Sequence, residues 1–320
     1  MSEQKKILIT RQLPDAVTDR ARASYAATVN AADDPYDAEA MLARCDGVDG
    51  LLCTITNDLG RDVIMALPDS VRIIATFSVG YEHIDLAAAR QRGIVVTNTP
   101  GVLTDATADI ALLLMLGAAR RVGEGARMIR DGWTGWTPTQ LMGIEVSGKR
   151  LGIVGMGDIG RAVATRARAF GMEIHYHNRS RLDGAIEHGA VFHETLESLL
   201  PVSDFLSLHC PLTSETRHLL NEQRIALLPP RPVVVNTARG PVVDDQALIA
   251  ALKSGRVAAA GLDVFEGEPN IAAGYLDCPT AFLLPHLGSA TLETRNAMGF
   301  TALDNMDVFF AGKEPPNRIA

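Results

Sequence analysis

The sequence predicts an α/β protein built on parallel sheets and divided into two domains. Three observations predict it. The chain has 320 residues, for which two domains are the ordinary expectation. Residues 5–100 alternate short apolar runs with stretches of helical period, and residues 150–170 set an apolar run, a glycine turn and a helical stretch in direct succession. Alternating β and α elements argue for a parallel sheet covered by helices on both faces.

Residues 6–10 read as a strand, and the segment after Pro14 as a helix to about residue 23. Apolar runs at 50–54, 71–76 and 94–96 are strands, with helices between them at 38–44, 62–67 and 86–91. Phe77 to Tyr81 comes directly after a strand, the place where open α/β sheets bind ligands. Gly80 in that turn serves equally as a source of N–H groups for a small anion or as a plain connection. His83 and Asp85 read as a helix cap and its neighbour. Thr99-Pro100-Gly101 breaks the chain, and residues 102–129 then read as one long helix. That helix is expected to join two domains or to pack on a partner subunit. The loop 131–138 carries both tryptophans, Trp133 and Trp136. They need burial, either at an interface or inside the chain.

Composition excludes several classes. Hydrophobic residues make up 47% and charged residues 21%, as in ordinary globular proteins. A net charge of −8 offers no basic surface for nucleic acid. No segment approaches 18 uninterrupted apolar residues and the N-terminus has no apolar leader, so no membrane association and a cytoplasmic location are expected. Cys45, Cys53, Cys210 and Cys278 are scattered without a C-x-x-C pair, so neither structural zinc nor a disulfide is expected.

The most informative stretch is RLGIVGMGDIG, starting at Arg150. A buried strand at 151–154 runs into Gly155-Met156-Gly157-Asp158-Ile159-Gly160, which fits G-x-G-x-x-G, and a helix is expected over 161–170. In this context the pattern marks a dinucleotide site of the Rossmann type. Gly155 allows the tight turn, Gly157 lets the backbone approach a pyrophosphate, and Gly160 lets helix and strand pack closely. The helix N-terminus supplies free N–H groups and a positive dipole end. After the next strand, at 172–177, an enzyme using NAD usually carries an acid for the ribose. Here Asn178-Arg179-Ser180-Arg181 stand instead. An acid would repel a 2′-phosphate, whereas Arg179 and Arg181 can bind it, at about 1.5–3 kcal/mol per charge-assisted hydrogen bond. The sequence therefore predicts NADP(H) over NAD(H), NAD(H) remaining usable. The opposing reading makes the arginines two surface residues on a solvated turn.

Four further strands, at 204–208, 233–235, 257–262 and 281–284, run into polar residues. Their ends carry His209-Cys210-Pro211, Thr237-Ala238-Arg239, Asp263 with Glu266 and Glu268, and His286 with Gly288 and Ser289. In a parallel sheet these ends share one edge, so an arginine, carboxylates and a histidine should meet near the nicotinamide end of the site. A histidine can give a proton near neutral pH, and a carboxylate beside it favours the protonated ring. An arginine can hold a carboxylate through two parallel hydrogen bonds. Taken singly, the other histidines read as structural or solvated.

VNTARGPVVDDQAL from Val235, AAAGLDVFEGEP from Ala258 and PHLGSAT from Pro285, with GMGDIG, stand in an order and spacing that resemble the D-isomer-specific 2-hydroxyacid dehydrogenases over nearly the whole chain. TPGVLTDATADIALLLML, the GWTGWTP loop and the arginine-bearing turn look most like the glyoxylate/hydroxypyruvate reductase branch. The resemblance implies a Rossmann-type cofactor domain, residues 101–287, inserted into a flavodoxin-like parallel α/β substrate domain formed by 1–100 and 288–320. It implies that Arg239 binds the substrate carboxylate and carbonyl oxygen, that His286 is the acid/base, and that Glu268 rather than Glu266 is its partner. Asp263 would hold the nicotinamide carboxamide. Cys210, Pro211, Thr237 and Ala238 would line the cofactor cleft. Val79 and Gly80, with Ser289, would contact substrate, and Trp136 would reach the substrate site of the other subunit of a homodimer. The expected activity is NADPH-preferring reduction of small 2-oxo acids, glyoxylate and hydroxypyruvate first. The alternatives are a dehydrogenase for another 2-oxo acid, such as pyruvate or a bulkier one, and a dinucleotide-sensing binding protein without turnover.

Overall fold

Short apolar runs make the strands, and parallel pairing joins them into two sheets. The computed structural model describes residues 4–320. It divides into one unit formed by the chain up to Leu103 with Ala290–Ala320, and another formed by Thr104–Ser289.

The first unit contains β1 (Lys6–Ile9), α1 (Asp15–Ser24), β2 (Ala26–Val29), α2 (Ala38–Arg44), β3 (Gly50–Cys53), α3 (Arg61–Ala66), β4 (Ile73–Thr76), α4 (Leu86–Arg92) and β5 (Val95–Thr97). The five strands pair in the order β2-β1-β3-β4-β5, all parallel. β3 and β4 are buried along their whole length because helices cover both faces, which is why they read as unbroken apolar runs. β2 is an addition to the expected elements. It is a half-exposed edge strand whose Ala-Ala-Thr-Val carries little pattern. Asp85 caps α4, accepting from the Ala88 N–H at 2.8 Å.

The second unit opens with α5 (Thr104–Ala119) and α6 (Val122–Gly132), then β6 (Arg150–Val154), α7 (Asp158–Arg168), β7 (Glu173–His177), α8 (Gly184–Glu187), β8 (Val191–His193) and α9 (Leu196–Leu199). It continues with β9 (Phe205–Leu208), α10 (Glu222–Ile225), β10 (Val233–Asn236), α11 (Asp245–Lys253), β11 (Ala259–Leu262), α12 (Ala273–Leu276) and β12 (Ala281–Leu283). Its seven strands run in the order β12-β11-β10-β9-β6-β7-β8, all parallel. The chain builds outward from β6 through β7 to β8, returns to lay β9 beside β6, and builds outward on the other side. Val154 of β6 pairs with Leu208 of β9, so the strand order reverses at the ends of these two strands. Ligands of such sheets bind in the crevice at that reversal.

The long helix expected over 102–129 is two helices. Arg121 takes φ 55°, a left-handed conformation that cannot continue an α-helix, and its guanidinium turns onto Glu124 with Nε and Nη2 each 2.7 Å from the carboxylate. α5 has a buried face, with Ala111, Leu114, Met115 and Ala118 packed with Ile153, Val233, Val235 and Ala259. Each such fully buried leucine or valine stabilises the unit by about 1.5–3 kcal/mol. α6 buries no residue at all. The last helix, α13 (Leu292–Phe310), returns to the first unit, where Ala302, Leu303 and Met306 join the core beside Ile7 and Ile9. Among the described residues no helix is long and apolar enough to cross a membrane.

Candidate active site

The glycine turn is assembled by close approach. Gly155 has φ 94°, and a Cβ there would lie 2.6 Å from the Cys210 nitrogen, so the turn rests directly on the segment leaving β9. A Cβ on Gly160 would lie 2.2 Å from the Gly155 carbonyl oxygen, whereas one on Gly157 would meet nothing within 4 Å. The turn is thus packed shut on the protein side and open on the other, where Asp158 and Ile159 begin α7. An open backbone at a helix N-terminus of a topological switch point fits the pyrophosphate of a dinucleotide.

At the end of β7, the Asn178 side chain accepts from the Met156 N–H at 2.6 Å and braces the glycine turn. Arg179 and Ser180 are exposed. Arg181 is engaged within its own turn: Nε and Nη2 lie 2.8 and 3.0 Å from the two oxygens of Glu187. Glu187 is buried and also takes the Tyr176 hydroxyl at 2.6 Å. Arg181 first, then that hydroxyl, hold the Glu187 carboxyl down at about 2. Of the two arginines, Arg179 is therefore the one exposed without this clasp, and Arg181 shapes the turn that presents it.

His209, at the end of β9, lies 2.8 Å from the Ser207 hydroxyl and 3.2 Å from that of Thr237, and burial pushes its imidazole down to about 4. It is a neutral brace for Thr237. Cys210 and Ala238 are buried beside it, and Pro211 is exposed.

The three remaining strand ends carry the ionisable groups. Arg239 follows β10 in a turn braced by Asn236, whose side chain accepts from the Ala238 N–H at 3.0 Å and donates to the Arg239 carbonyl at 2.9 Å. Glu268 lies on the loop after β11. One of its oxygens is 2.8 Å from His286 Nδ1, and the other accepts from the Phe265 N–H at 2.8 Å. Burial opposes its charge, but His286, the Phe265 amide and the Arg239 guanidinium together hold its carboxyl below the usual carboxylate value. His286 follows β12 with φ 55°, a strained conformation for a side-chain-bearing residue. Asp263 holds it there: the His286 N–H bonds the Asp263 carbonyl at 2.9 Å, and the Asp263 carboxylate takes the Leu287 and Gly288 N–H groups at 2.6 and 2.8 Å. Burial raises the Asp263 carboxyl even against those two amides. Both its oxygens are thus committed to the histidine loop, each keeping a second lone pair. Ser289 is half-buried at the end of that loop. Glu266, the other carboxylate of the run, points elsewhere, to Arg217 and His218.

With Nδ1 on Glu268, Nε2 is the ring nitrogen left to exchange a proton with a ligand. A guanidinium, a carboxylate-backed imidazole and a dinucleotide-shaped turn therefore stand on the C-terminal edge of one sheet.

In the first unit, the turn at Val79 and Gly80 has its carbonyls tied inward. Ser78 O takes the Thr99 N–H at 3.0 Å, Val79 O takes Asn98 Nδ2 at 2.8 Å, and Gly80 O takes the Ser78 hydroxyl at 2.6 Å. Thr76 adds its hydroxyl to Ser78 at 2.8 Å and to His83 Nε2 at 3.0 Å. Three consecutive inward carbonyls suit a turn that offers N–H groups outward. Trp133 and Trp136 are 50% and 72% exposed, which excludes their packing inside this chain.

The braces Asn236, Asp263 toward its own loop, and Glu187 were not singled out from the sequence. Asn three residues before Arg239 is a turn signal that could have marked the first. Glu187 pairs across a turn and leaves no periodic trace.

The sequence matches the family model described as D-isomer specific 2-hydroxyacid dehydrogenase, NAD binding domain, over residues 112–288. It is 46% identical over 320 residues to the glycerate dehydrogenase of Hyphomicrobium methylovorum, covering 99% of each chain. It is 42% identical over 319 residues to the glyoxylate reductase of Thermococcus litoralis, covering 98% of this chain and 96% of that one. The crystal structure of an NADPH-dependent glyoxylate/hydroxypyruvate reductase from Sinorhizobium meliloti, in complex with NADP and malonate, superposes with a TM-score of 0.88 at 34% identity over 99% of this chain and 97% of that one. The chain belongs to the D-isomer specific 2-hydroxyacid dehydrogenases, and is thereby an oxidoreductase that works with a nicotinamide dinucleotide.

Proposed function

We propose that this enzyme reduces small 2-oxo acids to 2-hydroxy acids, glyoxylate and hydroxypyruvate first, and prefers NADPH to NADH. The observation that carries the reading is the 2.8 Å contact between Glu268 and His286 Nδ1, with Arg239 close enough to bias the same carboxylate. A nicotinamide dinucleotide held at the glycine turn would supply the hydride for the substrate's carbonyl carbon. His286 Nε2 gives the proton to the carbonyl oxygen as it gains charge, and Glu268 stabilises the protonated ring beforehand. Arg239 holds the substrate carboxylate with its planar fork and polarises the carbonyl oxygen. Asp263 keeps the histidine loop in place and would accept from the nicotinamide carboxamide on its remaining lone pairs. The Val79–Gly80 turn donates amides to a carboxylate, and Ser289 lies at the substrate end of the histidine loop.

Substrate size is supported by the relatives. Oxidising the 2-hydroxyl of glycerate yields hydroxypyruvate, so the names of both curated relatives point to two- and three-carbon acids. The NADPH preference is supported by Arg179 and Ser180 exposed where a ribose-binding acid would otherwise stand, and by the NADP complex of the S. meliloti enzyme. A homodimer is supported by the surface of α6 and its following loop, where Val122, Ile129, Trp133, Trp136 and Met142 are all exposed. Trp136 would then reach toward the partner's substrate.

A panel of glyoxylate, hydroxypyruvate and pyruvate run with NADPH and with NADH tests the reading. Turnover is expected to be fastest for the first two and with NADPH. Absence of turnover on every 2-oxo acid, with dinucleotide binding intact, would favour a sensing role instead.

A further inference from the structure

Glu266 sits two residues before Glu268 and takes no part in the contact with His286. Its carboxylate is gripped by the segment beyond β9: Arg217 Nη2 bonds one oxygen, and His218 Nε2 lies 3.0 Å from the other. Its backbone N–H lies on the side of Asp245, the first residue of α11, close enough to lower that carboxyl against its burial. Asp245 is buried and also takes the Tyr275 hydroxyl at 2.8 Å. The ring of Phe265 packs edge-on against that of Tyr275, with centroids 6.0 Å apart. The arginine turn reaches the same peptide: a Cβ on Gly240 would lie 1.8 Å from the Phe265 carbonyl carbon and 2.3 Å from the Glu266 nitrogen. Three segments therefore converge on one residue.

The chain beyond Glu266 needs a fixed origin. Gly267 is the only residue between it and Glu268, and glycine leaves the backbone free to swing. A proton donor backed by a carboxylate works only if the pair keeps its geometry to within about 0.5 Å. We propose that Glu266 is a positioning residue. Held at its side chain by Arg217 and His218 and flanked at its backbone by the Gly240 turn, it fixes the Phe265–Glu268 turn so that Glu268 stays on His286. It also ties that carboxylate to the segment whose first residues, at Cys210, rest against the glycine turn. The assignment rests on the proposed acid/base role of His286. The charged groups around that ring are Glu268 and Asp263, with Arg239 acting on Glu268.

The test uses the full chain carrying Glu266→Gln, which keeps the size of the side chain, removes its charge and leaves one acceptor oxygen where there were two. The ring titration of His286 is tracked by NMR, its signal identified by its loss in His286→Gln. The pH dependence of glyoxylate reduction with NADPH is recorded in parallel. A loosened Glu268 stabilises the charged ring less, so the His286 titration and the alkaline limb of turnover are both expected to move to lower pH. Turnover at pH 7 should fall about threefold to tenfold while the KM for glyoxylate changes less than twofold. His218→Gln, which weakens one of the two side-chain holds, should move the titration in the same direction by less. If Glu266→Gln does not fold, His218→Gln decides. A His286 titration that coincides with the wild type in the folded variants, with activity lost only in proportion to unfolded protein, would overturn the proposal. The NMR comparison requires no turnover, so a wild-type protein that fails to reduce 2-oxo acids breaks the functional reading and leaves the Glu266 question answerable.

Discussion

The two parallel sheets end in different chemistry. The C-terminal edge of the five-stranded sheet presents, at its candidate anion turn, the hydroxyls of Thr76 and Ser78, the amide of Asn98 and the backbone of Val79 and Gly80, with the His83 ring against Thr76. The same edge of the seven-stranded sheet presents Arg239, with Asp263, Glu268 and His286 joined by short hydrogen bonds. Backbone N–H donors at such a turn do not titrate. A carboxylate-backed imidazole changes charge with pH. On the proposed function the first edge offers amides to a carboxylate, whereas the second carries both the grip of Arg239 on the substrate and the proton of His286.

The largest effect beside the imidazole itself is expected from Arg239→Met. Losing two charge-assisted hydrogen bonds at about 1.5–3 kcal/mol each should cut kcat/KM for glyoxylate about a hundredfold or more, with NADPH binding retained in fluorescence titration. A loss shared equally by substrate and cofactor would place the guanidinium elsewhere. Next comes the charge at the far end of the same sheet. Arg179→Ala should raise the KM for NADPH about ten- to a hundredfold and leave that for NADH nearly unchanged. Equal effects on both dinucleotides would remove Arg179 from the phosphate. On the edge of the five-stranded sheet, Ser78→Ala frees the Gly80 carbonyl and removes about 1 kcal/mol of hydrogen bonding, so the KM for glyoxylate should rise about fivefold. The pH profile should not move, and a displaced limb would show that the two edges are not separable.

The smallest effect concerns stability. Glu187 is held at about 2, below the ordinary carboxylate value of 4.5, by Arg181 and Tyr176. The unfolded chain therefore takes up this proton first as the medium acidifies. The stabilisation is complete above about pH 4.5 and is lost as pH falls toward 2. Glu187→Gln should lower Tm at pH 7, with the gap to wild type narrowing below pH 4.5 in thermal scans. A gap that is constant with pH would mean the pair contributes through packing alone.

The fold was legible where its signal was local. Residues 151–160 state strand, turn and helix in contiguous residues, and three apolar runs ending in polar residues place Arg239, Glu268 and His286 along one edge once the sheet is parallel. The features that could not be read depend on single backbone angles or on pairings across turns. The left-handed Arg121 splits a pattern that is apolar through its centre. β2 joins an edge with four small residues and no alternation to announce it. Arg181 looks as available as Arg179 until Glu187, six residues on, is seen beneath it. The exposure of Trp133 and Trp136 likewise comes from a helix that buries nothing, which no single residue type reveals.

On the proposed function, His286 delivers the proton at a nicotinamide site built by its own sheet. The most direct measurement compares NADPH binding with glyoxylate turnover in His286→Ala. The account predicts a dissociation constant within about twofold of wild type and turnover reduced about 10²–10⁴-fold. Turnover that survives the substitution undiminished, or a variant that fails because it no longer binds NADPH, would contradict it.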